Sequence, residues 1–125
     1  MIVGIGIDNV ETRRMKDLLL KWVERVENRV FDEVELEYSK SKGEPHLHLA
    51  ARFAAKEAFF KALGMGLSEG MTWTDVTVRN DSSGKPDIVI SGKAREIAEA
   101  MGVNKVHVSL SHAKDSAIAV VILEQ

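Results

Sequence analysis

Residues Arg52–Gly64 read RFAAKEAFFKALG, and this stretch decides how the rest of the chain must be arranged. Alanine, the best helix former, recurs at 54, 55, 58 and 62, while Phe53, Phe59, Phe60 and Leu63 return at helical spacing. The helix is predicted from about Leu47 to Leu63, after a restart at Pro45 and before Gly64 as C-cap. A face of small residues lets such a helix pack closely, so the charged residues it carries lose part of their water. Glu57 and Lys61 stand i,i+4 on one face, as do Lys56 and Phe60. Glutamate before lysine is the ordinary order of a surface pair, so the spacing alone does not make a site.

Towards the N-terminus, Asp32 caps a predicted short helix, Glu33 to Ser41, with Glu35 in capping-box position. From Val10 to Val26 the apolar residues Val10, Met15, Leu18, Leu19, Trp22, Val23 and Val26 mark another helix. Ile2 to Ile7 reads as a buried strand in which Gly4 and Gly6 permit a close backbone approach. Asp8 ends that strand and is either the cap of the next helix or a ligand. Towards the C-terminus, Trp73 to Arg79 alternates as a strand, Asn80 to Lys85 turns at Gly84, and Pro86 to Ile90 returns. Lys93 to Met101 is an amphipathic helix closed by Gly102. Val106 to Leu110 and Ala117 to Leu123 are strands around a polar turn at Ser111 to Ser116. The order β-α-α-α-β-β-α-β-β implies an α+β domain, residues 1–125, with a mainly antiparallel sheet packed against helices.

Composition narrows the function. Seventeen basic residues balance 19 acidic ones for a net charge of −2, which argues against a general nucleic-acid binder. No cysteine is present, so disulfides, thiolate metal ligands and a cysteine nucleophile are excluded, and any metal must take oxygen or imidazole donors. No apolar run approaches the ~20 residues of a membrane helix, and MIVGIGIDNV lacks a basic signal-peptide start. The chain is read as soluble and cytoplasmic, without membrane partners. In His107-Val108-Ser109-Leu110-Ser111-His112, alternation puts His107, Ser109 and Ser111 on one face; two histidines at this spacing do not make a zinc motif. No Walker-type GxxxxGK[ST] run is present, which disfavours a P-loop phosphotransferase.

Taken together and in order, GIGID, FAAKEAFFKALG, WTDVTVRNDSSGKP and HVSLSH resemble the bacterial holo-acyl-carrier-protein synthase family of 4′-phosphopantetheinyl transferases. The likeness extends from Ile2 to about Val121. It departs at Ala113, where the family usually has threonine, and at Asn9 and Thr12, which replace apolar residues. The resemblance implies transfer of 4′-phosphopantetheine from coenzyme A to a serine of acyl carrier protein, releasing 3′,5′-ADP, in fatty acid biosynthesis. It implies Asp8 and Glu57 as Mg²⁺ ligands, hard oxygen donors of the kind magnesium requires, with Lys61 as a second positive charge on the phosphates. The attacking serine needs a proton acceptor, and either a carboxylate of the site or a water on the metal meets that need. Family position implies Arg52, Lys85, Pro86 and His107 as coenzyme A contacts, with Ser109 a weaker one. It also implies an acidic carrier protein, for which Arg13, Arg14 and Lys21 offer a docking surface, with Arg14, Lys21 and Arg25 on one helical stripe. Family members are homotrimers with shared active sites, Asp8 and the Glu57 helix from one subunit and nucleotide-covering strands from the next. The competing class is a binding module that holds a nucleotide or an acidic protein without turnover.

Overall fold

A computed structural model describes all 125 residues. Strand β1 (Ile2–Glu11) is followed by helices α1 (Thr12–Arg29), α2 (Glu33–Lys40) and α3 (Pro45–Leu63). A 3-10 turn (Trp73–Asp75) leads into the hairpin β2 (Val76–Asn80) and β3 (Pro86–Ile90), then α4 (Gly92–Ala100), β4 (Lys105–His112) and β5 (Ser116–Glu124). The predicted class and order hold, but the strands form two antiparallel sheets rather than one: β1-β5-β4 and β2-β3.

Helix α3 is the centre of the core. Ala50, Ala54, Ala55, Ala58 and Phe59 have no exposed surface, and Phe60 has almost none. Each of the two phenylalanines contributes about 2–3 kcal/mol by leaving water. Alanines on the helix and glycines on β1 bring the two backbones together. A Cβ at Gly6 would lie 1.9 Å from the Ala58 carbonyl oxygen, and one at Gly4 2.1 Å from that of Ala62. What comes close to these glycines is therefore α3, and any larger residue would push the helix off the sheet.

The first strand departs from expectation in two ways. It continues through Asp8 to Glu11, because β5 pairs with it from Ile2↔Glu124 to Glu11↔Ser116. Helix α1 consequently starts at Thr12 rather than Val10, and Asp8 caps nothing: the N-cap is Glu11, without a side-chain bond. The isoleucines also reverse. Gly4, Gly6, Asp8 and Val10 face α3, whereas Ile5 and Ile7 are 65% and 63% exposed on the outer face. Thr12 is buried and its hydroxyl donates to the Lys114 carbonyl, clasping the β4–β5 turn next to Ala113.

Two further differences are local. Trp73–Asp75 is a 3-10 turn rather than strand, held by a capping box between Thr72 and Asp75. Helix α1 kinks at Trp22 (φ −135°, ψ 42°).

The capping box at Asp32 and Glu35 is present, and it belongs to a larger buried node. Lys56 and Glu35 are both fully buried, with Nζ 2.8 Å from Oε1. Lys56 Nζ also donates to the Trp73 carbonyl at 3.1 Å and to the Val76 carbonyl. Glu35 accepts from Asp32 N at 3.0 Å and Val78 N at 2.8 Å. All three ammonium protons and both carboxylate oxygens are thus used, the condition under which burying two charges is tolerable. The node ties α2, α3 and β2 together.

Candidate active site

Asp8 lies on the inner face of β1, opposite Ala119 of β5. Lys61, from the last turn of α3, crosses to it: Nζ is 2.9 Å from Asp8 Oδ1 and donates to the Ile7 carbonyl at 3.1 Å. Lys61 therefore pairs with Asp8 across the β1–α3 seam and not with Glu57 along the helix. The hydrogen bond to Asp8, and then its charge, raise the Lys61 pKa, so the ammonium stays charged. Burial pushes the Glu57 carboxyl up, the Asp8 charge pushes it further, and Lys61 and Arg14 pull it down. Asp8, Glu57, Lys61 and Arg14 thus form one electrostatic cluster, an acidic pole with two cations at its rim. Two carboxylates in one field repel each other unless a cation lies between them.

A second cluster sits at the other flank of α3. Arg52 is only 2% exposed; its Nη2 donates to Asn80 Oδ1, its guanidinium carbon stacks 4.1 Å from the Tyr38 ring centroid, and its Nε has no partner. The His48 ring stands edge-on to His112, with centroids 4.9 Å apart. Burial lowers the His48 pKa, and His112, Arg52 and Lys42 push the same way. Asn80 Nδ2 donates to the Gly84 carbonyl at 3.0 Å, which links the cluster to the turn bearing exposed Lys85 and to Pro86 at the start of β3. This is a basic pole, suited to an anion.

The residues singled out in the sequence divide between these places. Asp8, Glu57 and Lys61 meet at the acidic pole, and Arg52, Lys85 and Pro86 belong to the basic one. Arg52 is turned into the protein and reaches the surface only through Asn80. His107 and Ser109 join neither pole: they lie on the outer face of β4, where His107 Nε2 is 2.8 Å from Glu124 Oε1. The histidines that do gather with Arg52 are His48 and His112. Both had a signal, since His48 is one turn before Arg52 and His112 is out of phase with His107 on the same strand.

The two poles lie on opposite sides of α3. His48 and Glu57 are nine positions apart on α3, about half a turn out of phase and ~13 Å along the axis. Arg52 and Lys61 stand in the same relation. The sheet order β1-β5-β4 repeats this division, with Asp8 on one edge strand and His112 on the other.

Helix α1 borders the acidic pole. Arg13, Arg14, Leu18, Lys21 and Trp22 line a cleft of about 470 Å³ together with Asn9, the residue after Asp8. The kink at Trp22 breaks the expected stripe of Arg14, Lys21 and Arg25. Lys21 and Arg25 instead converge on the Trp22 ring, at 5.4 and 5.2 Å from its centroid, and Arg13 pairs with Asp17 at 3.5 Å.

A strand carboxylate facing an Ala-rich helix that carries glutamate and lysine one turn apart defines a class, and comparison with known proteins agrees. The model of the 4′-phosphopantetheinyl transferase superfamily matches residues 4–121. The chain is 48% identical to the holo-acyl-carrier-protein synthase of Syntrophus aciditrophicus over 124 residues, 99% of this chain and 97% of that one. It is 48% identical to the Geobacter metallireducens synthase, covering 100% and 99%. Among solved structures, that of the Neisseria meningitidis synthase superposes with a TM-score of 0.89 at 35% identity, covering both chains entirely. The Bacillus anthracis synthase in complex with CoA (3′,5′-ADP) gives 0.81 at 38% identity, covering 100% and 98%. The chain belongs to the holo-acyl-carrier-protein synthase family and is a 4′-phosphopantetheinyl transferase.

Proposed function

We propose that this chain, acting as a single domain over residues 1–125, moves the 4′-phosphopantetheine arm of coenzyme A to a serine of acyl carrier protein in a Mg²⁺-dependent reaction of fatty acid biosynthesis in the cytoplasm. The observation that carries this reading is the acidic pole: Asp8 and Glu57 brought together from strand and helix, with Lys61 at hydrogen-bond distance from Asp8. The donor set suits magnesium. It offers two hard carboxylates, and no group of three or more histidines or carboxylates gathers into an all-protein cage, so places remain for water and phosphate oxygens. When bound, the ion supplies positive charge against the pyrophosphate.

The serine oxygen forms a bond to the β-phosphorus, the bond from that phosphorus to the bridging oxygen breaks, and 3′,5′-ADP leaves. The hydroxyl proton passes to a carboxylate of the acidic pole. Lys61, 53% exposed on a flexible stem, swings from Asp8 towards the phosphates as charge builds on the leaving group. The basic pole holds the nucleotide end, and α1 meets the acidic carrier through Arg13, Arg14 and Lys21.

With the poles on opposite sides of α3, the complete site is read as the acidic pole of one chain joined to the basic pole of the next. The outer sheet face supports such an assembly: Ile5 lies beside Ile122 and Ile7 beside Val120, an apolar surface with nothing covering it in one chain. A homotrimer with shared sites accounts for both features. The test is an intact-mass shift of apo acyl carrier protein incubated with coenzyme A, Mg²⁺ and this protein. Binding of coenzyme A without that shift would favour the non-catalytic module.

Lys61→Met isolates the electrostatic role. Lys61 is 53% exposed beside a mostly buried Asp8, so the melting temperature should move by a few degrees at most, while kcat falls roughly 10–100-fold. A slightly lowered melting temperature beside an unchanged kcat would remove Lys61 from the site.

A further inference from the structure

We infer that Asn80 is a positioning residue that uses the buried charge of Arg52 to set the Gly84–Lys85–Pro86 turn for the nucleotide end of coenzyme A; the inference rests on the function proposed above. Arg52 is 2% exposed, and its Nη2 donates to the side-chain oxygen of Asn80. The amide nitrogen of the same residue donates to the Gly84 carbonyl at 3.0 Å. A guanidinium can only donate and a carbonyl can only accept. The residue between them must therefore accept at one end and donate at the other, within a short and rigid reach. Asparagine meets both demands. Aspartate accepts from Arg52 but has no proton for Gly84, and lysine cannot accept from Arg52.

The turn is prepared to receive this bond. Gly84 has φ +88°, a conformation in which a side chain is strained. Asp81 Oδ1 accepts from Ser83 N at 2.8 Å and Lys85 N at 2.9 Å, and Asp81 N donates to the Lys85 carbonyl at 3.0 Å. These contacts close the loop upon itself without tying it to α3. The bond from Asn80 to Gly84 joins it to a side chain locked under Tyr38, and thereby to the body of α3. A loop fixed before the ligand arrives loses less freedom on binding, which appears as tighter binding rather than faster chemistry.

The proposal separates from a merely structural role through Asn80→Asp, which keeps the shape and the contact to Arg52 but deletes the donor to Gly84. Asn80→Ala, which deletes both, guards against an effect of the new charge. In both variants the amides of Ser83, Gly84 and Lys85 should exchange with solvent faster than in the parent, with the melting temperature of Asn80→Asp held. For both, the affinity for 3′,5′-ADP should fall about tenfold, a loss on the scale of one hydrogen bond. KM for coenzyme A should rise alike, with kcat moved much less. Parent-like exchange, or unchanged 3′,5′-ADP binding in Asn80→Ala, overturns the inference and leaves the proposed function standing. A parent protein that does not bind 3′,5′-ADP overturns the proposed function, and the inference with it.

Discussion

Asp8→Ala should lower kcat/KM by about a thousandfold, and Glu57→Ala by a similar factor, in folded protein. On the proposed assignment each variant loses one of two oxygen ligands to a cation whose charge stabilisation amounts to several kcal/mol. Folding should survive. Asp8 is bonded to Lys61, which is exposed enough to be rehydrated, so its loss costs within about 1 kcal/mol. Glu57 gains little from its surroundings, since burial and the Asp8 charge both disfavour its ionised form; removing it relieves that repulsion. Asp8→Asn, which keeps an acceptor for Lys61 but not the charge, should be as inactive as Asp8→Ala. The check is single-turnover transfer at graded Mg²⁺, with a melt on the same preparations. Near-parental rates at low Mg²⁺ in either alanine variant would show the ligand assignment to be wrong.

Lys56→Met should be the most damaging single change to stability, at about 3–5 kcal/mol. Methionine fills the space, but Glu35 is left charged, fully buried and without its counter-ion, and two carbonyls lose a donor. Since domains of this size are stable by only ~5–15 kcal/mol, the variant will be marginal at best. The double variant Glu35→Gln/Lys56→Met tests the cause. It removes both charges while an amide oxygen remains for Val78 N or Asp32 N, so it should recover a large part of the loss. Urea unfolding of the parent, both single variants and the double variant closes the cycle. If the double variant is as unstable as the sum of the singles, the pair is not coupled and the node is ordinary packing.

Much of this architecture could be read directly from the chain. The capping box at Asp32, the end of α3 at Gly64 and the turn at Gly84 are written within a few residues each, so local chemistry suffices to place them. The acidic pole was legible through motif positions, although not the partner Lys61 takes, because Ile7 and Asp8 lie more than 50 positions away. What could not be read depends on distant pairing. Strand β1 runs past Asp8 only because β5 holds its far end, and a sequence window sees a carboxylate there as a stop. Its isoleucines look like core residues until the glycines prove to be the side facing α3. Lys56 resembles a surface lysine until Glu35, on another helix, is found beneath it. The kink at Trp22 carries no glycine or proline to announce it. Arg52 fits a phosphate ligand by type, yet its burial under Tyr38 makes it an anchor for what surrounds the ligand.

The half-turn offset between the two poles of α3 also changes how damage is inherited. If each working centre draws its acidic half from one copy and its basic half from the neighbour, a lesion in Asp8 and a lesion in His112 spoil different halves. A chain carrying the first still lends a sound basic half, and a chain carrying the second still lends a sound acidic one. Wherever the two defective copies meet in the right order, an intact seam is rebuilt. Mixed assemblies of two individually inactive chains should therefore regain part of the activity, whereas two lesions in the same half should never complement each other.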